Sequence, residues 1–135
     1  VYSLDKIGTG AIISFGVTFA YPNINVGDRV YIGPYSHLAM CNIGNDIMIA
    51  SNVYILSGLN QHGTSDLSKP ISQQPGKLKT VQIGSGSWLG NRATIADHIG
   101  TGSVIGTGSV VVREIPDYSI AVGNPARVIK KRRTS

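Results

Sequence analysis

This sequence has three histidines, His37, His62 and His98, the residue type best suited to general-base work near neutral pH. An imidazole of that kind can take the proton of an attacking hydroxyl, or ligate zinc as the neutral base. The three differ in setting. His37 and His98 each immediately precede a member of a regular aliphatic series (Leu38, Ile99) and should face outward from a repeated scaffold. His62 alone falls in the long interruption of that series, residues 56–82, with Pro70, Pro75, three glycines and several Ser, Thr and Gln residues. Loops of such length inside compact domains commonly carry function, and the competing reading is an incidental histidine on a mobile surface loop. Asp66 could orient the imidazole, although a backbone carbonyl would serve equally well, and Asn60 is the nearby amide able to donate to an oxyanion.

A second chemical feature is charge. Residues 113–135 hold six basic side chains (Arg113, Arg127, Lys130, Lys131, Arg132, Arg133) against Glu114 and Asp117, which accounts for four of the five net positive charges. Only one aromatic residue, Tyr118, lies among these charges and the rest of the chain is nearly neutral, so nucleic acid is a poor fit. A small phosphorylated ligand suits so compact a patch, and a solvated chain end is the alternative.

The elements that position these groups are written in the spacing of aliphatic residues. Ile7, Ile13, Phe19; Val26, Ile32, Leu38; Ile43, Ile49, Ile55; Ile83, Leu89, Ile95; and Ile99, Ile105, Val111 form five triplets with steps of six. Glycine follows the first member of every triplet, and Ser14, Gly33, Ala50, Gly90 or Gly106 follows the second. Small residues at a fixed offset mark a corner that needs positive φ or close approach. Between triplets the steps are seven, five, twenty-eight and four residues, so one corner of a three-sided coil absorbs all length variation. Residues two before the ladder (Val30, Cys41, Ile47, Val53, Ala93) are also apolar, which describes a short strand and then a turn. Self-similarity of this kind means a solenoid whose coils share one continuous core. At a strand spacing of about 4.8 Å, five coils stand on the order of 24 Å tall.

The 135 residues read as one domain, 1–135, and seventeen glycines with two phenylalanines and one tryptophan suit repeated corners rather than a bulky core. A short C-terminal helix is expected from Ala126 to Arg133, docking Val128 and Ile129 on the solenoid. Cys41 points inward as a small core hydrophobe, and a single cysteine excludes an internal disulfide framework. No apolar run reaches the roughly 18 residues that span a bilayer, which leads to the expectation of a cytoplasmic protein without membrane insertion.

Ile83-Gly84, Trp88-Leu89-Gly90-Asn91, Gly106-Thr107-Gly108-Ser109-Val110-Val111, Ile115-Pro116 and Gly123-Asn124-Pro125-Ala126-Arg127-Val128-Ile129, together with the ladder, resemble the hexapeptide-repeat acyltransferases over nearly the whole chain. The segments Leu59-Asn60-Gln61-His62-Gly63 and Gln74-Pro75-Gly76 are similar to sugar and polysaccharide O-acetyltransferases of the galactoside, maltose and O-antigen type. The resemblance implies an all-β fold, a left-handed parallel β-helix of five triangular coils with the long insertion; periodicity alone would not give that hand, because parallel crossovers are otherwise right-handed in about 98% of cases. It also implies a homotrimer with the acyl-CoA site between adjacent subunits, acetyl-CoA as co-substrate, and no metal.

On that resemblance His62 is the general base, and Trp88, Gly90, Asn91, Thr107, Gly108 and Val112 line the pantetheine groove, with trimer contact as the other reading of Trp88. Arg113, Arg127 and Lys130 match basic positions that meet the adenosine phosphates. The oxyanion donor stays unassigned, because Tyr35-Ser36-His37 stands at the coil position where the family often places it; His37 is a candidate for acceptor binding instead. A proline-glycine pair common between the Trp-containing coil and the next is missing, Ile95-Ala96-Asp97-His98-Ile99 being two residues shorter. The function implied is acetyl transfer from acetyl-CoA to a hydroxyl of a sugar or cell-envelope saccharide by direct attack on the thioester. Alternatives are N-acetylation of an amino sugar, nucleotide-sugar or antibiotic, a zinc enzyme of the γ-carbonic-anhydrase kind, or a non-catalytic solenoid.

Overall fold

Each six-residue unit holds just enough chain for one inward-outward pair of side chains and a corner, so nearly every strand is two or three residues long. The computed structural model describes residues 6–133, and there the strands stack into three parallel sheets that form the faces of a left-handed β-helix of about six turns. The first face comprises Lys6–Ile7, Asn25–Val26, Cys41–Ile43 and Val81–Ile83, continued by single bridges through Ile99 and Ile115. The second comprises Ile12–Ile13, Tyr31–Ile32, Met48–Ile49, Trp88–Leu89, Val104–Ile105 and Ser119–Gly123. The third comprises Thr18–Phe19, His37–Leu38, Tyr54–Ile55, Thr94–Ile95 and Val110–Val111.

Ladder residues pair only with ladder residues: Ile13, Ile32, Ile49, Leu89 and Ile105 form one unbroken column. From Val26 to Val111 they are buried, each worth about 1.5–3 kcal/mol of removed apolar surface. Ile7 and Ile13 remain 51% and 38% exposed, because among the described residues this coil has a neighbour on one side only. Cys41 lies inside the core, where loss of solvation pushes its thiol pKa up to about 12.

Two of the three corners repeat one construction from coil to coil, the first in all six coils and the second in the first five. Positive φ falls three residues after each ladder residue, at Gly10, Arg29, Asp46, Gly86, Gly102 and Tyr118 on one corner and Gly16, Tyr35, Asn52, Arg92 and Gly108 on the next. The glycines that directly follow the ladder have a different reason: a Cβ on Gly27 would sit 2.3 Å from the Gly44 carbonyl oxygen of the next coil. Side chains tie the corners across coils. The Thr9 amide donates to Asp28 Oδ1 at 2.9 Å and the Asp28 amide to Asn45 Oδ1 at 2.8 Å. Buried Ser87, Ser103 and Ser119 form a column in which each of the first two donates to a carbonyl and accepts the next serine's amide. The third corner has no such repeat, and all variation in coil length is spent there.

Two expectations are corrected. The coils number about six rather than five: Ile115 bridges to Ile99 and Ala121, six residues on, lies opposite Ile105. An alanine in the ladder position and a chain reversal straight after it hide this last turn from an aliphatic count. The segment from Ala126 to Arg133 is not a helix; Ala126–Lys131 is a strand that returns antiparallel along Ser119–Gly123 after the Asn124–Pro125 turn. The Ser119–Gly123 strand would otherwise end the second sheet with unpaired N–H and C=O groups, and β-branched Val128 and Ile129 suit the strand that satisfies them. The one helical segment among the described residues is a single 3₁₀ turn, Ile71–Gln73. No helix there is long and apolar enough to cross a membrane.

Candidate functional site

The insertion leaves the third face after Tyr54–Ile55 and rejoins the first face at Val81–Ile83, so it projects from the variable corner. Its two limbs run antiparallel. The Lys79 amide donates to the Ser57 carbonyl at 3.0 Å, Lys77 to Asn60 at 2.7 Å, and Gly63 to Gln74 at 3.2 Å, with a bridge between His62 and Pro75. His62 is therefore carried on a braced limb, near its outer end, with an exposed imidazole. The tip beyond it is closed by Gln74, only 7% exposed, whose amide hydrogen-bonds the backbone of Asp66 and Lys69.

Asp66 and His62 are not hydrogen-bonded to each other. The Asp66 carboxylate accepts from the Ser68 hydroxyl at 2.6 Å and the Ser68 amide at 3.0 Å, which holds its pKa below the ordinary carboxylate value. That carboxylate organises the tip. Asn60 is exposed, and its carbonyl is engaged by Lys77.

At the foot of the insertion a cleft of about 480 Å3 opens between the two limbs and the solenoid corner. Asn60, Lys77 and Lys79 line it from the insertion, and Ala96, Asp97 and Val112 from the coils. Lys79 Nζ lies 3.1 Å from Asp97 Oδ1, which also accepts the His98 amide at 2.8 Å, so the return limb is pinned to the short four-residue corner. Lys77, Lys79, Ala96 and Asp97 line this candidate cleft and were missed by sequence reasoning. The alternation of lysines on the return limb and the shortened Asp97 corner were the available signals, but neither specifies contact with the other.

The remaining candidates divide by location. Trp88 is 52% exposed on the outside of the second face, in register with Met48 and Val104 and in one row with Ile12 and Tyr31. Gly90 lies against the backbone of Ile105 and Thr107, and Asn91 Oδ1 accepts the Ser51 amide at 2.9 Å, so both have scaffold duties. Thr107 and Gly108 are exposed at the second corner, and Gly108 has open space where a Cβ would stand. Arg113 is exposed on the variable corner, whereas Arg127 and Lys130 stand on the terminal hairpin opposite Val122 and Ile120. Lys130 borders a cleft of about 680 Å3 with Ile129 and Lys131 to Arg133. Lys131 and Arg132 are partly committed, donating to the Asp117 and Gly102 carbonyls.

The three histidines occupy three settings: His37 on the third face, His98 on the first, His62 on the insertion. His98 Nδ1 accepts the Gln82 amide at 2.9 Å, which commits it to the coil. Among the described residues no group of three His, Cys, Asp or Glu is placed to hold a metal ion.

No family model matches the chain. The Escherichia coli protein WbbJ, which bears the name of a lipopolysaccharide biosynthesis O-acetyl transferase, is 36% identical over 137 residues, covering 95% of this chain and 64% of the relative. A Mycobacterium tuberculosis protein named as an acetyltransferase is 35% identical over 118 residues, 84% of this chain and 39% of its own length. The chain thus spans less than two thirds of these relatives. Among solved structures, a hexapeptide-repeat-containing acetyltransferase of Vibrio cholerae superposes with a TM-score of 0.86 at 20% identity, covering 97% of this chain and 76% of that one. Galactoside acetyltransferase in complex with coenzyme A superposes with a TM-score of 0.81 at 27% identity, over 93% and 64% of the two chains.

Proposed function

The chain is a hexapeptide-repeat β-helix of the acetyltransferase superfamily, and from that premise we propose that it transfers an acetyl group from acetyl-CoA to a hydroxyl of a sugar or cell-envelope saccharide precursor in the cytoplasm. One observation supports the assignment: the single long departure from the solenoid carries an exposed histidine, two residues beyond Asn60, which lines a cleft whose other wall includes Val112 and Ala96. In this reading the pantetheine arm enters along the second corner past Gly90, Asn91, Thr107 and Gly108. Val112 lines the same groove, and Arg113, Arg127 and Lys130 hold the phosphates.

His62 takes the acceptor hydroxyl proton as oxygen bonds to the acetyl carbonyl carbon. The tetrahedral intermediate then collapses, the carbon-sulfur bond breaks, and the thiolate of coenzyme A leaves and recovers the proton from the imidazolium. No covalent enzyme intermediate forms. Asn60 is the insertion's candidate donor to the oxyanion. Asp66 supports His62 indirectly, by ordering the tip. The exposed row through Tyr31, Met48 and Trp88 on the second face is the surface for a homotrimer.

The deciding experiment is thiol release from acetyl-CoA in the presence of sugars, nucleotide-sugars and saccharide fragments. Turnover with a hydroxyl acceptor supports the reading. Turnover confined to amino sugars reassigns the enzyme as an N-acetyltransferase, and absence of both thiol release and coenzyme A binding rejects catalysis.

A further inference from the structure

Thr18, His37 and Tyr54 stand in register on adjacent coils of the third face. His37 Nδ1 is hydrogen-bonded to Thr18 Oγ1 at 2.6 Å, and the His37 and Tyr54 rings pack with centroids 5.8 Å apart and planes inclined at 49°. The imidazole is thereby fixed at one nitrogen and one face, leaving Nε2 as its remaining polar atom. Tyr35 and Asn52, at left-handed positions of the neighbouring corner, close one side. With Gly16 these residues line a shallow cleft of about 490 Å3.

No charged side chain lines this cleft, in contrast to the basic cleft on the terminal hairpin at the opposite end of the solenoid. Phosphates would find no lysine or arginine here. A pyranose ring fits the chemistry: its C–H faces pack on aromatic rings, and its hydroxyls pair with imidazole, amide and hydroxyl groups. The Tyr54–Ile55 strand also runs directly into the insertion that carries His62. We propose that the Tyr35, His37 and Tyr54 cleft is a saccharide subsite that holds an uncharged pyranose ring of the acceptor. Its description as the acceptor's subsite rests on the acetyl-transfer reading; its saccharide chemistry does not.

The test separates the two. Saturation-transfer difference NMR on the full chain without acetyl-CoA, using methyl pyranosides and short neutral oligosaccharides, reads binding alone. Saturation at ring protons is expected in the wild type and in Tyr54→Phe, and a loss of about fivefold or more in Tyr54→Ala, as removal of one stacking ring implies. Tyr54 is exposed outside the core, and Thr18→Val, which removes the hydroxyl bonded to His37 while keeping a β-branched strand residue, provides a second variant with a loss of about threefold. In turnover, Tyr54→Ala should raise the acceptor KM about tenfold while leaving the acetyl-CoA KM and kcat within about twofold. No ring-proton saturation with any pyranoside, or equal saturation in wild type and both variants, overturns the proposal; a neighbouring copy seated over the cleft would give that result. Failure of the acetyl-transfer reading shows separately, as absence of thiol release with every acceptor while saturation transfer persists.

Discussion

Gln74 grips Asp66 from both sides of one peptide turn: its Nε2 donates to the Asp66 carbonyl at 2.8 Å while its Oε1 accepts the Asp66 amide at 3.1 Å, and Nε2 also reaches the Lys69 carbonyl at 3.0 Å. A side chain that replaces backbone pairing in this way sets the order of the segment beyond His62. Gln74→Ala should therefore leave the solenoid's melting transition within about 2 °C, since the bonds lie outside the cooperative core. Amide exchange over residues 63–74 should rise at least about tenfold, and acetyl transfer should fall with kcat. Unchanged exchange in that segment would count against the clamp.

His62→Ala should lower kcat by about 10²- to 10⁴-fold, the range for loss of a general base, with coenzyme A affinity within about twofold of wild type. Isothermal titration with coenzyme A checks the second half. Near-normal turnover in this variant would remove His62 from the mechanism.

Ser103 donates to the Pro116 carbonyl at 2.8 Å and accepts the Ser119 amide at 3.2 Å, with no solvent access. Ser103→Ala leaves both backbone groups without that partner in a buried column, at a cost of about 1–3 kcal/mol. Urea denaturation should show the midpoint falling at constant m.

Cys41 links stability to alkaline pH. Its folded pKa, raised to about 12 by burial, lies above the unfolded value of roughly 8.5, so the thiol's contribution is complete below that lower value. It is lost as pH rises from there towards the folded pKa. Cys41→Ala should flatten the decline in stability between about pH 8.5 and 11, measured by urea titration at each pH. Alkylating agents should label Cys41 only after denaturation.

On the proposed phosphate-binding role, Arg127→Met and Lys130→Met should each raise the acetyl-CoA KM about three- to tenfold with kcat little changed, because such a contact, far from the thioester, would be made equally in ground and transition states. Acetyl-dephospho-coenzyme A as the donor tests for a contact with the 3′-phosphate: a variant that has lost that contact shows no further defect with this donor.

The solenoid was legible in the chain because a six-residue strand and corner is a local instruction repeated many times. Ile32, Ile49 and Leu89 stack wherever one coil follows another, and Cys41, two residues before Ile43, goes inward by the same rule. The position of His62 in the one long departure was legible for the same reason. The last coil was not, because Ala121 is too small to announce a ladder position and Ala126–Lys131 becomes a strand only by pairing with an exposed edge. Nor could the sequence pair Lys79 with Asp97 or set Thr18, His37 and Tyr54 in one cleft. Those contacts join residues about eighteen positions apart, and their register depends on how each variable corner is spent. Periodicity fixes which way a side chain points along its own coil; only stacking decides what it meets on the next.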